Sequence, residues 1–500
     1  MMKAFINNST LKRIFCCLTT AFLFNIFAQS TDDGSDSTFF NYTVDELLCS
    51  YLENDLELQK LTLEVEKSRL ALDSTKLEQG FDVTLSTGTM TFYTSSNGTV
   101  INVKPSVKAE LKKINNLAAS VSTDFQVKTN TSTNSLKDTK FLLSMDIFSQ
   151  AEVLQKVALL KSERTLLESQ RKLQSVALST EKKFYTELEN LLNQINSIYT
   201  YRQDLFTDSL SFDKIKAQGY NKTSATYRLA EMKVLTGEHN IQTAIHSLNH
   251  DIIVFYMHCG KSITINDSED FLKFIPSNIP EVQALKFIDF PKEKYSEIEK
   301  TQWTHTINSL TRKADKFFSL GVNGGYTMNN STTESDTIDA GLSTTIGGVG
   351  LNAGVSVPLG RDDFTPAFTL SCTVSPNSFI KRSITEKTYS LTDQQEVLDI
   401  KTAEQNYNTA VVDYRQSLIN LKWEKDSVKD SFDLYQKNEE DLLKYYKMGI
   451  VTQSEYYSAM NNRQLYEVKM IINKIKFIVY NNDVKSQFVD LEQQTQCRSK

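Results

Sequence analysis

The sequence predicts an α+β protein built from two similar halves, in which long coiled-coil helices are joined to strands of membrane-crossing length. Three observations carry that prediction. The order helix, alternating strands, very long helix, glycine turn, helix runs over about 43–260 and recurs over about 290–490. The segments between the helices alternate apolar and polar residues with a period of two. Past the first thirty or so residues no run approaches about 18 consecutive apolar residues, so any membrane crossing falls to strands. The repeat is best marked by Gly219-Tyr220-Asn221-Lys222-Thr223 and, about 230 residues later, Gly449-Ile450-Val451-Thr452-Gln453, each ahead of an apolar-periodic helix. A period this long exceeds any solenoid repeat, so each half is expected to supply equivalent walls to one object.

The chain opens with Lys3, Lys12 and Arg13, an apolar run over 14–27, and Ala28-Gln29 before polar sequence. That pattern is expected to be a secretory signal peptide, 1–28. The first repeat is expected over 29–260, an inter-repeat linker over 261–290, the second repeat over 291–490 and a tail over 491–500. Cys16 and Cys17 fall within the signal, leaving Cys49, Cys259, Cys372 and Cys497 scattered singly. Such spacing in a large chain does not suggest a disulfide framework. The formal net charge of −6 and the pI near 5.6 provide no basic field for nucleic acid.

Strands are expected over 81–148 and 317–375. In the first set Ile101, Val103, Val107, Ala109 and Leu111 share one face, opposite Asn102, Lys104, Ser106, Lys108 and Glu110. Leu117, Ala119, Val121, Phe125 and Val127 repeat the pattern, and further runs lie near Val83 to Tyr93 and Phe141 to Ile147. The second set supplies Phe318 to Tyr326, Ile338 to Ile346, Leu351 to Val357 and Phe368 to Val374. Four strands per half, each about 10 residues or somewhat longer, suit a tilted crossing of a bilayer. The short middle turns, Asn115-Asn116 and Gly347-Gly348, contrast with the Ser/Thr/Asn-rich stretches 130–137 and 329–336, so both ends of each set are expected on the side of the helices.

Long helices are expected over 149–211 and 384–446, with return helices over about 224–259 and 455–488. Apolar residues step by threes and fours: Phe184, Leu188, Leu191, Ile195, Ile198 and Leu205 in one half, and Ile400, Ala403, Tyr407, Val411, Tyr414 and Leu418 onward in the other. That is a coiled-coil seam, which needs partner helices. Thr452 and Glu455 have capping-box spacing ahead of the second return helix. In the first half Thr223 or Ser224 can cap, and Ala225 stands where Glu455 would have its equivalent.

Taken together, the signal peptide, the duplicated halves, the strands set between long helices and the Gly-x-x-[Ser/Thr] tip resemble the TolC-type outer-membrane efflux proteins. The segment Tyr446-Lys447-Met448-Gly449-Ile450-Val451-Thr452-Gln453-Ser454-Glu455 looks like that family's second hairpin tip, and Lys216-Ala217-Gln218-Gly219 its first. The resemblance implies a homotrimer whose strands form a β-barrel in the outer membrane and whose coiled-coil helices form a periplasmic tunnel. It also implies a periplasmic adaptor protein and an inner-membrane transporter as partners. By position, Tyr446 matches a tip tyrosine that helps close the tunnel, and Glu455 an acidic residue at the constriction. Three departures stand out: Val451 in place of an arginine, Ser458 in place of a second acid, and Ala225 in place of the first-tip acid. Gly449 and Thr452 complete the second tip, Gly219 and Thr223 the first.

No enzymatic constellation accompanies these features, and no cofactor is expected. His239, His246, His250 and His258 read as the polar side of a helix and not as a metal set, since a third ligand in register is missing. Cys259-Gly260-Lys261-Ser262 lacks the upstream glycine of a phosphate loop, and Gly260 reads as a helix C-cap. The expected function is an outer-membrane export duct of a tripartite efflux or type I secretion system. The alternative is an exported structural or surface-adhesive protein that keeps the fold without transport.

Overall fold

The computed structural model describes residues 42–95, 98–112, 116–128, 133–148, 150–265, 274–276, 278–315, 318–330, 335–346, 349–360, 365–374 and 376–489. The expected signal peptide 1–28, the tail 491–500 and the turn residues Asn115, Gly347 and Gly348 lie outside these. Among the described residues the helices are α1 (Val44–Asn54), α2 (Leu56–Glu78), α3 (Gln150–Ala217), α4 (Ala225–His258), α5 (Ser296–Asp315), α6 (Pro376–Lys447) and α7 (Gln453–Ser486). The strands are β1 (Phe81–Ser86), β2 (Met90–Ser95), β3 (Gly98–Val103), β4 (Ser106–Leu111), β5 (Leu117–Lys128) and β6 (Thr133–Phe148) before α3. Those before α6 are β7 (Ser319–Asn329), β8 (Thr337–Ile346), β9 (Val349–Pro358) and β10 (Ala367–Val374). Against the expected 149–211 and 384–446, α3 runs on to Ala217, and α6 starts earlier, at Pro376, and ends at Lys447.

The chain folds as two compact units that do not coincide with the sequence halves. One unit combines Met1–Leu61, Leu173–Phe290 and Ala410–Lys500; the other combines Thr62–Lys172 and Pro291–Thr409.

The second of these units holds all ten strands in one antiparallel sheet, ordered β1-β4-β5-β6-β7-β8-β9-β10, with β2 beside β3 and β3 also beside β5. These ten strands lie on eight lines, because two lines are each broken once. Gly88 separates β1 from β2 with φ +67°, and a Cβ there would lie 1.6 Å from the Lys104 carbonyl oxygen. Pro105, which has no amide hydrogen to donate to a ladder, separates β3 from β4. Next door the β5–β6 register shifts between Thr123 and Phe125, and Lys104 pairs with Asp124 at 3.0 Å. The crease thus crosses three adjacent lines. The stretch 133–137, expected as part of a loop, belongs to β6, where Ser135 and Leu136 pair with Gln126 and Phe125. Pairing with β5 overrides its polar composition.

Paired residues share a face, so the register sorts the sheet chemically. One row reads Leu85, Val107, Val121, Phe141, Tyr326, Ile338, Val357, and the next reads Val83, Ala109, Ala119, Leu143, Gly324, Ala340, Val355, Phe368. The opposite face carries Asp82, Glu110, Ala118, Ser144, Asn323, Gly341, Gly354 and Thr369 along one row.

The same unit holds a row of helices tied neighbour to neighbour. Ser68 of α2 meets Ser169 of α3 (2.9 Å), and Gln79 donates to the Gln155 carbonyl (2.9 Å). Arg164 and Arg171 of α3 donate to Glu299 of α5, and the Arg164 guanidinium lies over Trp303. Arg312 of α5 donates to Glu396 and Asp393 of α6.

The other unit is helical and holds the main apolar core. Thr43 and Glu46 form a capping box that starts α1, and Asp55 accepts from the Glu57 and Leu58 amides to start α2. Phe184, Leu188, Ile195 and Ile198 of α3 pack with Leu47 of α1, Leu248, Ile252 and Phe255 of α4 and Ile475 of α7, all at most 2% exposed. The expected seam in α3 is therefore a core. The α6 seam is shallower: Ala403 and Leu418 are buried, while Val428, Phe432 and Tyr435 are half-buried. At the end of α4, Gly260 has φ +67° and its amide bonds the Met257 carbonyl while Lys261 bonds that of Tyr256, the C-cap expected of it. Cys49 is disulfide-bonded, whereas Cys259 is buried and free and Cys372 exposed and free. The scattered spacing does not suggest a disulfide framework and leaves single pairings open, because distance along a chain does not report distance in space.

Candidate functional site: the hairpin tips

Both glycine turns lie in the helical unit, at the ends of two helical hairpins, α3–α4 and α6–α7. At the second tip Gly449 has φ +72°, its amide bonds the Tyr446 carbonyl (3.0 Å), and the Ile450 amide bonds that of Tyr445 (2.9 Å). This closes α6 with a left-handed residue that glycine adopts without penalty. Thr452 then caps α7: its hydroxyl accepts from the Glu455 amide (3.3 Å), and the Glu455 carboxylate accepts from the Thr452 amide (2.8 Å) and hydroxyl (2.9 Å). The backbone bond from Thr452, and then its hydroxyl, hold the exposed Glu455 carboxyl below its ordinary range. Val451 and Ser458 are half-buried, and the Ser458 carbonyl accepts from Asn462 (2.9 Å).

Tyr446 stacks on Tyr456 with ring centroids 5.6 Å apart and planes 8° from parallel. Tyr456 meets Tyr457, which meets Phe206 of α3 at 5.9 Å. Behind this, Asn461 donates to Gln203 (3.2 Å), and Arg463 binds Glu439 of α6 and Glu467 of its own helix. Sequence reasoning missed Tyr456, Tyr457, Phe206 and Arg463. The doubled tyrosines on both sides of Gly449 were the available signal. Beyond the stack, Met448 and Ile450 are about two-thirds exposed.

The first tip differs in count as well as chemistry. Gly219 has φ +75° and its amide bonds the Lys216 carbonyl (3.1 Å). The Asn221 side chain accepts from the Thr223 amide (3.0 Å), and the Asn221 carbonyl accepts from Ser224 (2.8 Å). Ser224, not Thr223, is the cap, accepting from the Tyr227 amide (3.3 Å). Ala225 is consequently the first helical residue, and the position equivalent to Glu455 is occupied by Tyr227. The Asn221 turn inserts two residues that alignment on the glycines hides. Tyr227 packs edge-on against Phe212, over which Lys216 sits at 3.9 Å.

Away from the tips, in the sheet-bearing unit, His305, Asp393 and Glu396 bring ligand-type atoms within 4.8 Å of one another. Arg312 already donates two bonds to Glu396 and one to Asp393, and Asn308 donates to Glu396 (2.8 Å). Those donors satisfy the carboxylates that a cation would need, so the cluster is an interhelical clasp. His258 of the α4 histidines lies 3.1 Å from Glu187 and edge-on to Tyr51, part of the packing of α1 and α3.

Fold and site together define a protein of helical hairpins with glycine-closed tips, joined to an antiparallel sheet of two chemically opposed faces. Residues 47–279 match the TP096X N-terminal domain and residues 280–490 the TP096X C-terminal domain, so the chain belongs to the TP096X family. No curated protein matches it in sequence. Solved structures that align with it include a membrane protein from Pseudomonas aeruginosa, 13% identical over 92% of this chain and 95% of that one, TM-score 0.46. Another is the open-state MtrE outer membrane channel of Neisseria gonorrhoeae, 12% identical over 89% and 88%, TM-score 0.48. The CmeC outer membrane channel of Campylobacter jejuni is 12% identical over 92% and 90%, TM-score 0.43.

Proposed function

We infer that the chain is one subunit of an outer-membrane channel of the TolC type. In this reading it is the export duct of a tripartite efflux or type I secretion system. Three copies assemble around one path; the sheet meets outer-membrane lipid and the hairpin tips reach into the periplasm, toward an adaptor protein and an inner-membrane transporter. The protein does no chemistry and binds no cofactor. The observation that carries the reading is the sheet. Its apolar rows leave Leu85 75%, Phe368 79% and Leu370 82% exposed, a costly arrangement in water and a favourable one against hydrocarbon. The opposite face is lined by hydroxyls, amides, glycines and charges, suited to a wetted lumen. No described helix is long and apolar enough to cross a membrane.

In this reading Glu455 lines the constriction, with Tyr446, Gly449, Val451, Thr452 and Ser458 around it and Gly219, Thr223 and Ala225 at the first tip. Planar-bilayer conductance of the purified protein, wild type against Glu455→Ala, tests it. Stable single-channel steps are expected, with a cation preference that drops in the variant. Folded, membrane-inserted protein that never conducts, alone or with its exported partners, would leave the structural or surface-adhesive alternative.

A further inference from the structure

Cys49 of α1 is disulfide-bonded, and its partner follows by elimination. The chain has six cysteines, at positions 16, 17, 49, 259, 372 and 497. Cys259 and Cys372 are both free. Cys259 caps the end of α4 with no exposed surface, and burial pushes its thiol up to about 12, so it keeps its proton and does not attack a disulfide. Cys372 lies on β10 in the sheet-bearing unit, whereas Cys49 belongs to the helical one. Cys16 and Cys17 fall within the expected signal peptide and leave with it on export. An exported chain is then left with one further sulfur, at Cys497.

The packing of the helical unit allows that pairing. Thr180 of α3 donates to Asp55, which ends α1 (2.7 Å), and the Tyr51 hydroxyl of α1 donates to Glu187 of α3 (2.9 Å). Lys182, between them on α3, donates to Asp483 in the last turn of α7 (2.8 Å). The ends of α1 and α7 therefore flank one stretch of α3, 180–187, about 10 Å long. Just past α7, Phe488 is buried against Phe287, ring centroids 4.7 Å apart, which fixes where the chain leaves the helix. From there the nine residues 489–497, fully extended, reach about 30 Å. Two helices packed on a common third lie at most about 20 Å apart, so the length suffices.

We propose that Cys49 and Cys497 form one disulfide within each exported copy, stapling the residues that follow α7 back onto α1. The bond joins the two Sγ atoms; two protons and two electrons leave, reducing the disulfide of a thiol-oxidising protein in the export compartment to its dithiol. It closes nearly the whole exported chain into one loop, the case in which the unfolded state loses most freedom. The element that gains most is α1, which at 11 residues is too short to hold its helix alone and relies on Leu47, Leu48 and Tyr51 being buried. The pairing requires an exported chain and does not depend on whether that chain conducts.

Peptide mapping of the full exported protein tests it, with free thiols alkylated at lysis and digestion carried out without reductant. The peptide bearing Cys49 is expected linked to the one bearing Cys497, with Cys372 alkylated and Cys259 alkylated only after denaturation. Cys49 found alkylated, or linked to Cys16, Cys17 or Cys259, would overturn the proposal, as would a Cys49–Cys497 link that joins two copies on a non-reducing gel. Amide exchange reads the staple itself. Cys49→Ala and Cys497→Ala should each speed exchange of the α1 amides several-fold and equally, with the double variant no faster than either. Exchange of α1 in Cys497→Ala that matches wild type would also overturn it.

Discussion

Glu396 is a carboxylate whose environment strongly alters its chemistry. Arg312 first, then Asn308 and His305, hold its carboxyl down to about 2, against 4.5 ordinarily. A carboxyl whose folded value is depressed stabilises the fold above its unfolded value and ceases to as pH falls through the folded one. Glu396→Gln is therefore expected to lower the melting temperature at pH 7, the gap to wild type narrowing between about pH 4.5 and pH 2; a pH-independent gap would refute the assignment. Phe184, fully buried between Tyr51, Tyr185 and Phe255, is the corresponding apolar anchor of the helical unit. Phe184→Ala should cost about 3–5 kcal/mol in equilibrium unfolding of that unit. At the tip, Thr452→Ala removes a cap worth about 1 kcal/mol, and faster amide exchange confined to the first turn of α7 is the expected sign. Thr452 and Glu455 were legible in the sequence because a capping box is local, three residues from end to end. The Tyr457–Phe206 contact was not, since its partners stand some 250 residues apart and meet only once the hairpins pack.

Among elements, the strands and long helices follow the periodicity of the sequence closely, because period two and the three-four step are properties of continuous segments. What periodicity cannot report is where a segment breaks. Gly88 and Pro105 each lie inside alternating runs, and the pattern resumes beyond them, so two strands read as one. The same holds for the first tip, where Asn221 forms a turn that shifts the cap to Ser224. Gly88→Val adds bulk against the Lys104 carbonyl at a φ that valine avoids, and should lower the yield of assembled protein much more than Gly219→Ala, which meets open space. The faces of the sheet invite a direct reading. Phe368→Trp should be quenched by brominated acyl chains and Thr369→Trp, one residue on, should not. Equal quenching would mean that the two faces do not meet lipid and water respectively.

At the scale of the whole molecule, the sequence announces two successive halves, yet the compact units each draw on both. Helices α3 and α6 begin in one unit and end in the other, so an order of elements can repeat along the chain while cores form across it. The two TP096X domains follow the sequence division, 47–279 and 280–490, rather than the spatial one.

Strand β10 has a consequence for the life of the protein before it is finished. Its residues, Ala-Phe-Thr-Leu-Ser-Cys-Thr-Val, include no charge and no proline, and all eight are exposed at an open edge. Sequences of that kind recruit any strand that passes, and most edges are guarded against it by a lysine, a bulge or a proline. Here the guard is missing, so this edge of an isolated copy is either covered by another strand or becomes the seed of a deposit. An isolated copy is therefore expected to aggregate more readily as its concentration rises, and a lysine placed on β10 to slow it.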